Sequence, residues 1–266
     1  MINWDGRKIT IRPSAIDTFL NCPYQWAKVF LEGVITIPSA RAAVGTAIHK
    51  AAEVLWTESM KEKRKVTTES VALDAAMEAF KEEKQKGLQF DETIKEDNAE
   101  YFIVKGAKIF IEDLMPFLDI PEAVEKRYAI QITHPVVAEI GGTIDYITDK
   151  EIGDIKTTQR KATTAHYKTQ QSVYKYLAEV NNKKISYSYI QNIVLSKTTA
   201  GGQIMDIEVD TTQAKYLLES MLKTLSIFFK DTVPAEVLFR GNPKWYLCSP
   251  NYCSLYDTCP FVKGEI

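Results

Sequence analysis

Two neighbouring segments in the middle of the chain carry residues that could hold a hard metal ion with an amine beside it. They are Gly142-Thr143-Ile144-Asp145-Tyr146-Ile147-Thr148-Asp149 and Glu151-Ile152-Gly153-Asp154-Ile155-Lys156-Thr157. If both are strands joined by the tight polar break between them, Asp145 and Asp154 meet at one end of a sheet. Carboxylate oxygens placed there suit Mg²⁺ or Mn²⁺. Side chains alternate along a strand, so Lys156 projects from the same face as Asp154 and its amine converges on the same point. Residues of these types near strand ends can also do no more than solvate a turn or form a weak surface ion pair. The setting favours a site: Asp145 lies between Ile144 and Tyr146, and Asp154-x-Lys156 interrupts an otherwise apolar run, where unpaired charge is costly to bury.

Two further pairs have helical spacing. Gly45 and His49, and likewise Gln170 and Tyr174, are four residues apart and would share a helix face. Gly45 would let another element come close while His49 points into the same space. Gln170 and Tyr174 could each hydrogen-bond a phosphate or orient the lysine. Taken singly, a helical histidine such as His49 is more often a packed or surface residue than a ligand, and Tyr174 more often a core residue. The four cysteines fall into two places: Cys22, followed by Pro23, and Cys248-x4-Cys253-x5-Cys259 in a loop-like tail with Pro250 and Pro260. Four thiolates can bind Zn²⁺ or an iron-sulfur cluster, and spacing alone leaves both open, although the two tight pairs of a zinc finger are missing.

The elements that must position these residues follow from periodicity. Helices are expected over residues 14–32, 42–61, 68–86 and 98–117, then strands over 127–133, 136–148 and 151–157. A helix over 163–180, strands over 184–196 and 203–209, and a helix over 211–230 capped by Thr211 or Thr212 complete the pattern. This order predicts an α/β fold. No repeat, low-complexity tract or long Pro/Gly linker divides the chain, so one domain is expected: a helical region over 1–120, a sheet core over 121–210, and a helix with a Cys-rich tail over 211–266.

Taken together and in order, these segments resemble the RecB-type branch of the PD-(D/E)XK nuclease superfamily, which includes the CRISPR-associated exonuclease, the AddB subunit and phage recombination exonucleases. The resemblance rests on Gly45-x-x-x-His49, Gly142-x-Ile144-Asp145, Asp154-x-Lys156-Thr157, Gln170-x-x-x-Tyr174, and one distant N-terminal cysteine with three clustered C-terminal ones. It implies a restriction-endonuclease-like core, a central mixed sheet flanked by helices, with a C-terminal iron-sulfur segment. It implies that His49, Asp145, Asp154 and the backbone carbonyl of Ile155 hold Mg²⁺ or Mn²⁺, that Lys156 is catalytic, and that Gln170 and Tyr174 edge the active site. It implies that Cys22, Cys248, Cys253 and Cys259 hold a structural [4Fe-4S] cluster, although relatives commonly have a shorter gap than the four residues between Cys248 and Cys253. Glu125 supports the metal site in some relatives. The implied activity is hydrolysis of phosphodiester bonds, as a DNA exonuclease on ends or single strands in recombination, repair or phage and CRISPR DNA processing.

Composition bounds the partners. The chain has 266 residues, 45% hydrophobic and 26% charged, and a formal net charge of -2, so DNA contact must come from a local basic groove. Arg160, Lys161 and Lys168, close behind the Asp-x-Lys motif, have a better claim on phosphate than the solvated run from Lys61 to Lys65. No phosphate-binding Gly-x-x-x-x-Gly-Lys-Ser/Thr loop accompanies the motif, so unwinding would need a helicase or recombination partner. The N-terminus has no apolar targeting segment and no run is long enough to span a bilayer, so a cytoplasmic protein without membrane contact is expected. His134 and His166 read as packing or surface residues. Tyr167, Trp245, Tyr246 and Tyr252 could stack on unpaired bases or pack around the cysteine loop. The rival readings are a non-catalytic nucleic-acid-binding module with a zinc or iron-sulfur site, and a metal-dependent hydrolase of another phosphate ester.

Overall fold

Alternation of apolar and polar residues builds the centre of the molecule as a mixed sheet, seen here in a computed structural model that describes every residue except Met1, Asn251 and Ile266. Its strands are β1 (Ile9–Ile11), β2 (Ala123–Gln131), β3 (Val137–Ile147), β4 (Glu151–Thr158), β5 (Tyr187–Leu195) and β6 (Ala200–Asp206). The order is β1-β3-β4-β5-β6, with β2 along the other edge of β3. β4 and β5 are parallel, joined through a crossover helix, and the eight residues of β5 after Tyr187 are buried, as a strand covered on both faces requires.

One edge of β3 is divided between two partners. β1 runs parallel to its first half, from Val137 to Ile140, and β4 pairs antiparallel only at Tyr146↔Gly153 and Ile147↔Ile152. The strands then part, and the first residues beyond the last pair are Asp145 and Asp154. The fork thus opens where the two carboxylates stand.

Helices α1 (Ile16–Asn21), α2 (Pro23–Phe30), α3 (Ala40–Glu62), α4 (Glu69–Gln85), α5 (Ala99–Ile109), α6 (Lys168–Val180) and α7 (Thr211–Phe229) cover the sheet, followed by the single turns α8 (Ala235–Leu238) and α9 (Pro260–Lys263). α3, α4 and α5 bury one apolar cluster, in which Ile48, Leu55 and Trp56 meet Tyr146, Ile155 and Tyr189. On the other side, Val173 and Leu177 of α6 and Leu218 of α7 pack with Ile140, Ile144 and Ile152. The expected α/β architecture, a mixed sheet flanked by helices, is the one observed. No helix among the described residues is long and apolar enough to cross a membrane.

Differences from the expected elements have local causes. The helix expected over 14–32 breaks at Cys22 (φ -147, ψ 79), because Pro23 disfavours the helical region for the residue before it. β1 was not expected: three residues form a strand only because β3 offers an edge. β2 begins at Ala123 rather than 127, and β6 at Ala200 rather than 203. Asp210, not Thr211 or Thr212, caps α7, its carboxylate accepting the Gln213 amide at 2.9 Å.

Candidate metal centre

The predicted side chains come from four elements, His49 from α3, Asp145 from β3, Asp154 and Lys156 from β4, and Gln170 and Tyr174 from α6, and the fork brings them together. Past the last β3–β4 pair, the Ile155 amide loses its strand partner and donates instead to Asp145 Oδ2 at 2.8 Å. One carboxylate oxygen thereby satisfies a backbone group that the splitting sheet would orphan. His49 comes from α3 on one side of the sheet, with Nδ1 3.5 Å from the same oxygen and its ring against the Ile155 backbone. Burial first, and then the neighbouring Lys156 charge, push the imidazole below its ordinary value, so it stays neutral and able to ligate.

The third member of this group is Glu125. Ligand atoms of His49, Glu125 and Asp145 all lie within 4.8 Å of one another, a donor set of nitrogen and two carboxylates suited to a divalent cation. In the β2–β3 register, Val124 pairs with Tyr146 and Lys126 with Ile144, so Glu125 faces Asp145. Its backbone is left-handed (φ 48), a strained conformation for a residue with a Cβ, costing about 1–3 kcal/mol. Although its side chain reaches solvent, partial loss of water on the side facing the site, together with the Asp145 charge, raises its carboxyl to about 7. Glu125 has little prominence in the sequence because it stands in a polar stretch before the expected strand. Extending that strand by four residues places it opposite Asp145, a signal the pairing pattern could have supplied.

Asp154 is oriented the other way. It is 2% exposed, 2.5 Å from Lys156 Nζ through Oδ2, and accepts from Gln170 Nε2 at 3.1 Å through Oδ1. Gln170 therefore holds the aspartate rather than the lysine. Burial alone would depress Lys156, but the Asp154 and Asp145 charges more than offset it and keep the ammonium above the ordinary lysine range. Tyr174 stands one turn along α6 from Gln170, its phenol raised by burial and by Asp154 and so kept protonated. Its ring comes so near β3 that a Cβ on Gly142 would sit 2.9 Å from Cε1 and 2.7 Å from Pro13 Cδ, which is why glycine stands there.

Gly45 is a contrast. A Cβ there would lie 3.8 Å from Thr157 Cβ, in ordinary contact, so the crossing of α3 over β4 does not demand glycine. Gly45 instead lines, with His49, Ile155 and Lys156, a cleft of about 630 Å³ that opens from the site. Of the remaining residues singled out, His134 fastens the start of β3 to α7, Nε2 meeting Leu222 O at 3.0 Å and Ser226 Oγ at 2.8 Å. His166 pairs with the Tyr246 hydroxyl at 3.0 Å, outside the metal group.

The crowding of carboxylates has a consequence for stability. Burial, followed by repulsion from Asp154, raises Asp145 well above the usual carboxylate range. A raised folded value means that stability is full below the unfolded carboxyl range near pH ~4 and is lost as pH rises through the folded value. Asp145→Asn keeps an acceptor for the Ile155 amide and removes the repulsion. At pH 8 without metal, Asp145→Asn is therefore expected to melt above wild type, by about 2–4 °C per kcal/mol relieved. If Asp145 ligates the ion, Mn²⁺ is expected to raise the wild-type Tm and leave the variant's unchanged; calorimetry at two pH values checks both signs.

The cysteines form a separate site. All four are free thiols, Cys22, Cys253 and Cys259 being buried, and together they line one small cavity with Tyr24, Trp245 and Leu255. Burial and then the other thiols raise Cys248. Cys22 and Cys259 each precede a proline that begins a helix, Pro23 of α2 and Pro260 of α9. Burial raises the Cys253 thiol as well, and the Leu255 amide, which donates toward its sulfur, offsets only part of that.

Comparison with known proteins agrees with this architecture. The family model for the PD-(D/E)XK nuclease superfamily matches residues 10–260. A solved structure from Eubacterium rectale, which bears the name of an exonuclease, superposes with a TM-score of 0.58 at 13% identity, covering 86% of this chain and 85% of that one. At that identity the likeness is one of fold. The SSO0001 structure aligns over 96% of this chain and 88% of its own at 14% identity, with a TM-score of 0.42. No protein of curated function matches the sequence.

Proposed function

Because the chain belongs to the PD-(D/E)XK nuclease superfamily, we propose that it is a divalent-metal-dependent deoxyribonuclease of the RecB type, an exonuclease acting on DNA ends or single strands. The observation that carries this reading is the gathering of His49, Glu125 and Asp145 within 4.8 Å beside the Asp154–Lys156 pair, at the head of an open cleft.

Neutral His49, the Glu125 and Asp145 carboxylates and the Ile155 carbonyl would hold Mg²⁺ or Mn²⁺, with Asp154 at the border of that set. A bound ion of this kind supplies Lewis-acid stabilisation of phosphoryl charge and a more acidic water. The protein's own contribution is placement. Lys156 keeps its proton and presents it where charge accumulates on the scissile phosphate. Asp154 fixes the lysine, and Gln170 fixes Asp154. Tyr174 offers a protonated hydroxyl to the DNA backbone. Processing in recombination, repair or phage and CRISPR systems, with a helicase or recombination partner for unwinding, is the setting this chemistry suits.

We read the cysteine cavity as the seat of a [4Fe-4S] cluster held by Cys22, Cys248, Cys253 and Cys259, a reading supported by its apolar walls and its four free thiols. Its role would be structural. Protein purified without oxygen would be brown and contain iron and sulfide; a colourless, zinc-loaded protein would replace the cluster by zinc in this reading.

The deciding experiment is incubation of cluster-replete protein with end-labelled single- and double-stranded DNA, with Mg²⁺, Mn²⁺ or chelator. Metal-dependent shortening from the ends supports an exonuclease, and internal fragments correct it to an endonuclease. DNA binding without cleavage under every metal leaves a non-catalytic nucleic-acid-binding module.

A further inference from the structure

The cleft at the metal centre does not end there. Ser39, Gln89 and Tyr252 line both it and a second hollow, which continues past Val29, Phe30 and Ile37. In the opposite direction Thr93 and Gln159 are shared with a third hollow, walled by Arg160, Lys197 and the hydroxyls of Ser196, Thr198 and Thr199. The two arms differ in chemistry. One presents the exposed ring of Tyr252 (61%) beside the exposed Ile37 (63%) and half-buried Phe30. The other presents two cations, of which Lys197 donates to the Glu92 backbone carbonyl rather than to a carboxylate. Of the acids lining the middle, Asp91 is tied to Arg41 at 2.7 Å and to the Thr93 and Ile94 amides.

Resting on the nuclease reading above, we propose that the Tyr252 arm is a base-stacking subsite for unpaired nucleotides. A single strand crosses the metal centre with its bases on Tyr252, Phe30 and Ile37 and its backbone held at the other end by Arg160 and Lys197. Duplex DNA displays phosphates outward and hides its base faces, so an aromatic and apolar arm continuous with the active cleft selects a strand whose bases are free. Cations at the far end supply the salt-dependent, sequence-independent share of affinity. Tyr252 sits between Cys248 and Cys253, so the loop that closes the cysteine cavity also sets the position of the stacking ring.

The test is the anisotropy of a fluorescein-labelled oligothymidine and of a blunt duplex, with Ca²⁺ in place of Mg²⁺, together with quenching of 2-aminopurine placed along the strand. Tyr252→Ala is expected to weaken single-strand binding about tenfold, abolish quenching at one position and leave duplex binding unchanged. Tyr252→Phe keeps the ring and is expected to bind within about twofold of wild type. Unchanged single-strand affinity in Tyr252→Ala, or equal losses on both DNAs, overturns the subsite. Metal-dependent cleavage by the wild type is scored separately. Its absence alongside intact, Tyr252-dependent stacking would sink the nuclease reading and leave this one standing.

Discussion

Lys156→Met is expected to abolish metal-dependent cleavage, by at least about 10²–10³-fold in kcat, the effect of removing one preorganised donor from a charged transition state. The reason lies in how tightly the ammonium is held. Its Nζ is 2.5 Å from Asp154, its side chain is 25% exposed, and the site's carboxylates keep it protonated. Methionine fills similar volume, so the β4 strand and the packing of Ile155 against α3 survive. The charge balance does not survive: Asp145 and Asp154 lose their shared cation and repel. The variant should therefore melt below wild type without metal and recover part of the difference when Mn²⁺ is added. Single-turnover cleavage, read beside metal-dependent calorimetry, separates lost chemistry from lost folding. Wild-type cleavage rates in a folded, metal-binding Lys156→Met variant would show that the ammonium does not act on the phosphate.

Much of that argument was already available in the sequence, and the reasons are physical. Strand periodicity put Lys156 and Asp154 on one face, and a short polar break put Asp145 beside them, because a hairpin-like connection leaves few registers. Four-residue spacing placed Gln170 and Tyr174 on one side of α6, where both now approach Asp154. What local pattern cannot convey is pairing between distant segments. β1 exists only as a partner of Val137–Ile140, so three residues with no neighbouring strand in sequence gave no signal. Glu125 enters the metal group through a left-handed backbone set opposite Asp145, and no propensity anticipates a strained residue whose use lies in where it points. The fork itself, where β3 changes partner from β1 to β4, is a property of the assembled sheet.

The same distinction between sequence distance and spatial distance sets the size of the cysteine effect. Cys22 and Cys248 are far apart along the chain, but β1 and the packing of α1 and α2 against α6 and α7 already anchor the N-terminal segment. The tail after α7 is less well secured. Its regular structure among the described residues is the single turns α8 and α9 and a 3-10 turn at Tyr256–Thr258, and it is anchored by the buried Phe239 and by the Tyr24–Phe261 edge-to-face pair at 5.1 Å. The loop that a cluster closes is therefore the stretch of roughly 20 residues between α7 and Cys248, for which loop-closure entropy gives about 3 kcal/mol. With the proposed cluster bound, Cys259→Ser is expected to remove the brown colour and lower the melting temperature by about 6–12 °C. Limited proteolysis should then cut first in the tail beyond α7 while the sheet core stays protected. Because Tyr252 rides on the released loop, single-strand affinity should fall with the cluster, whereas any metal-induced rise in Tm, if His49, Glu125 and Asp145 hold the ion, should remain. A Cys259→Ser variant that keeps its Tm and resists protease would mean that the tail is held by packing alone. The four thiols would then have to be explained without a structural cluster.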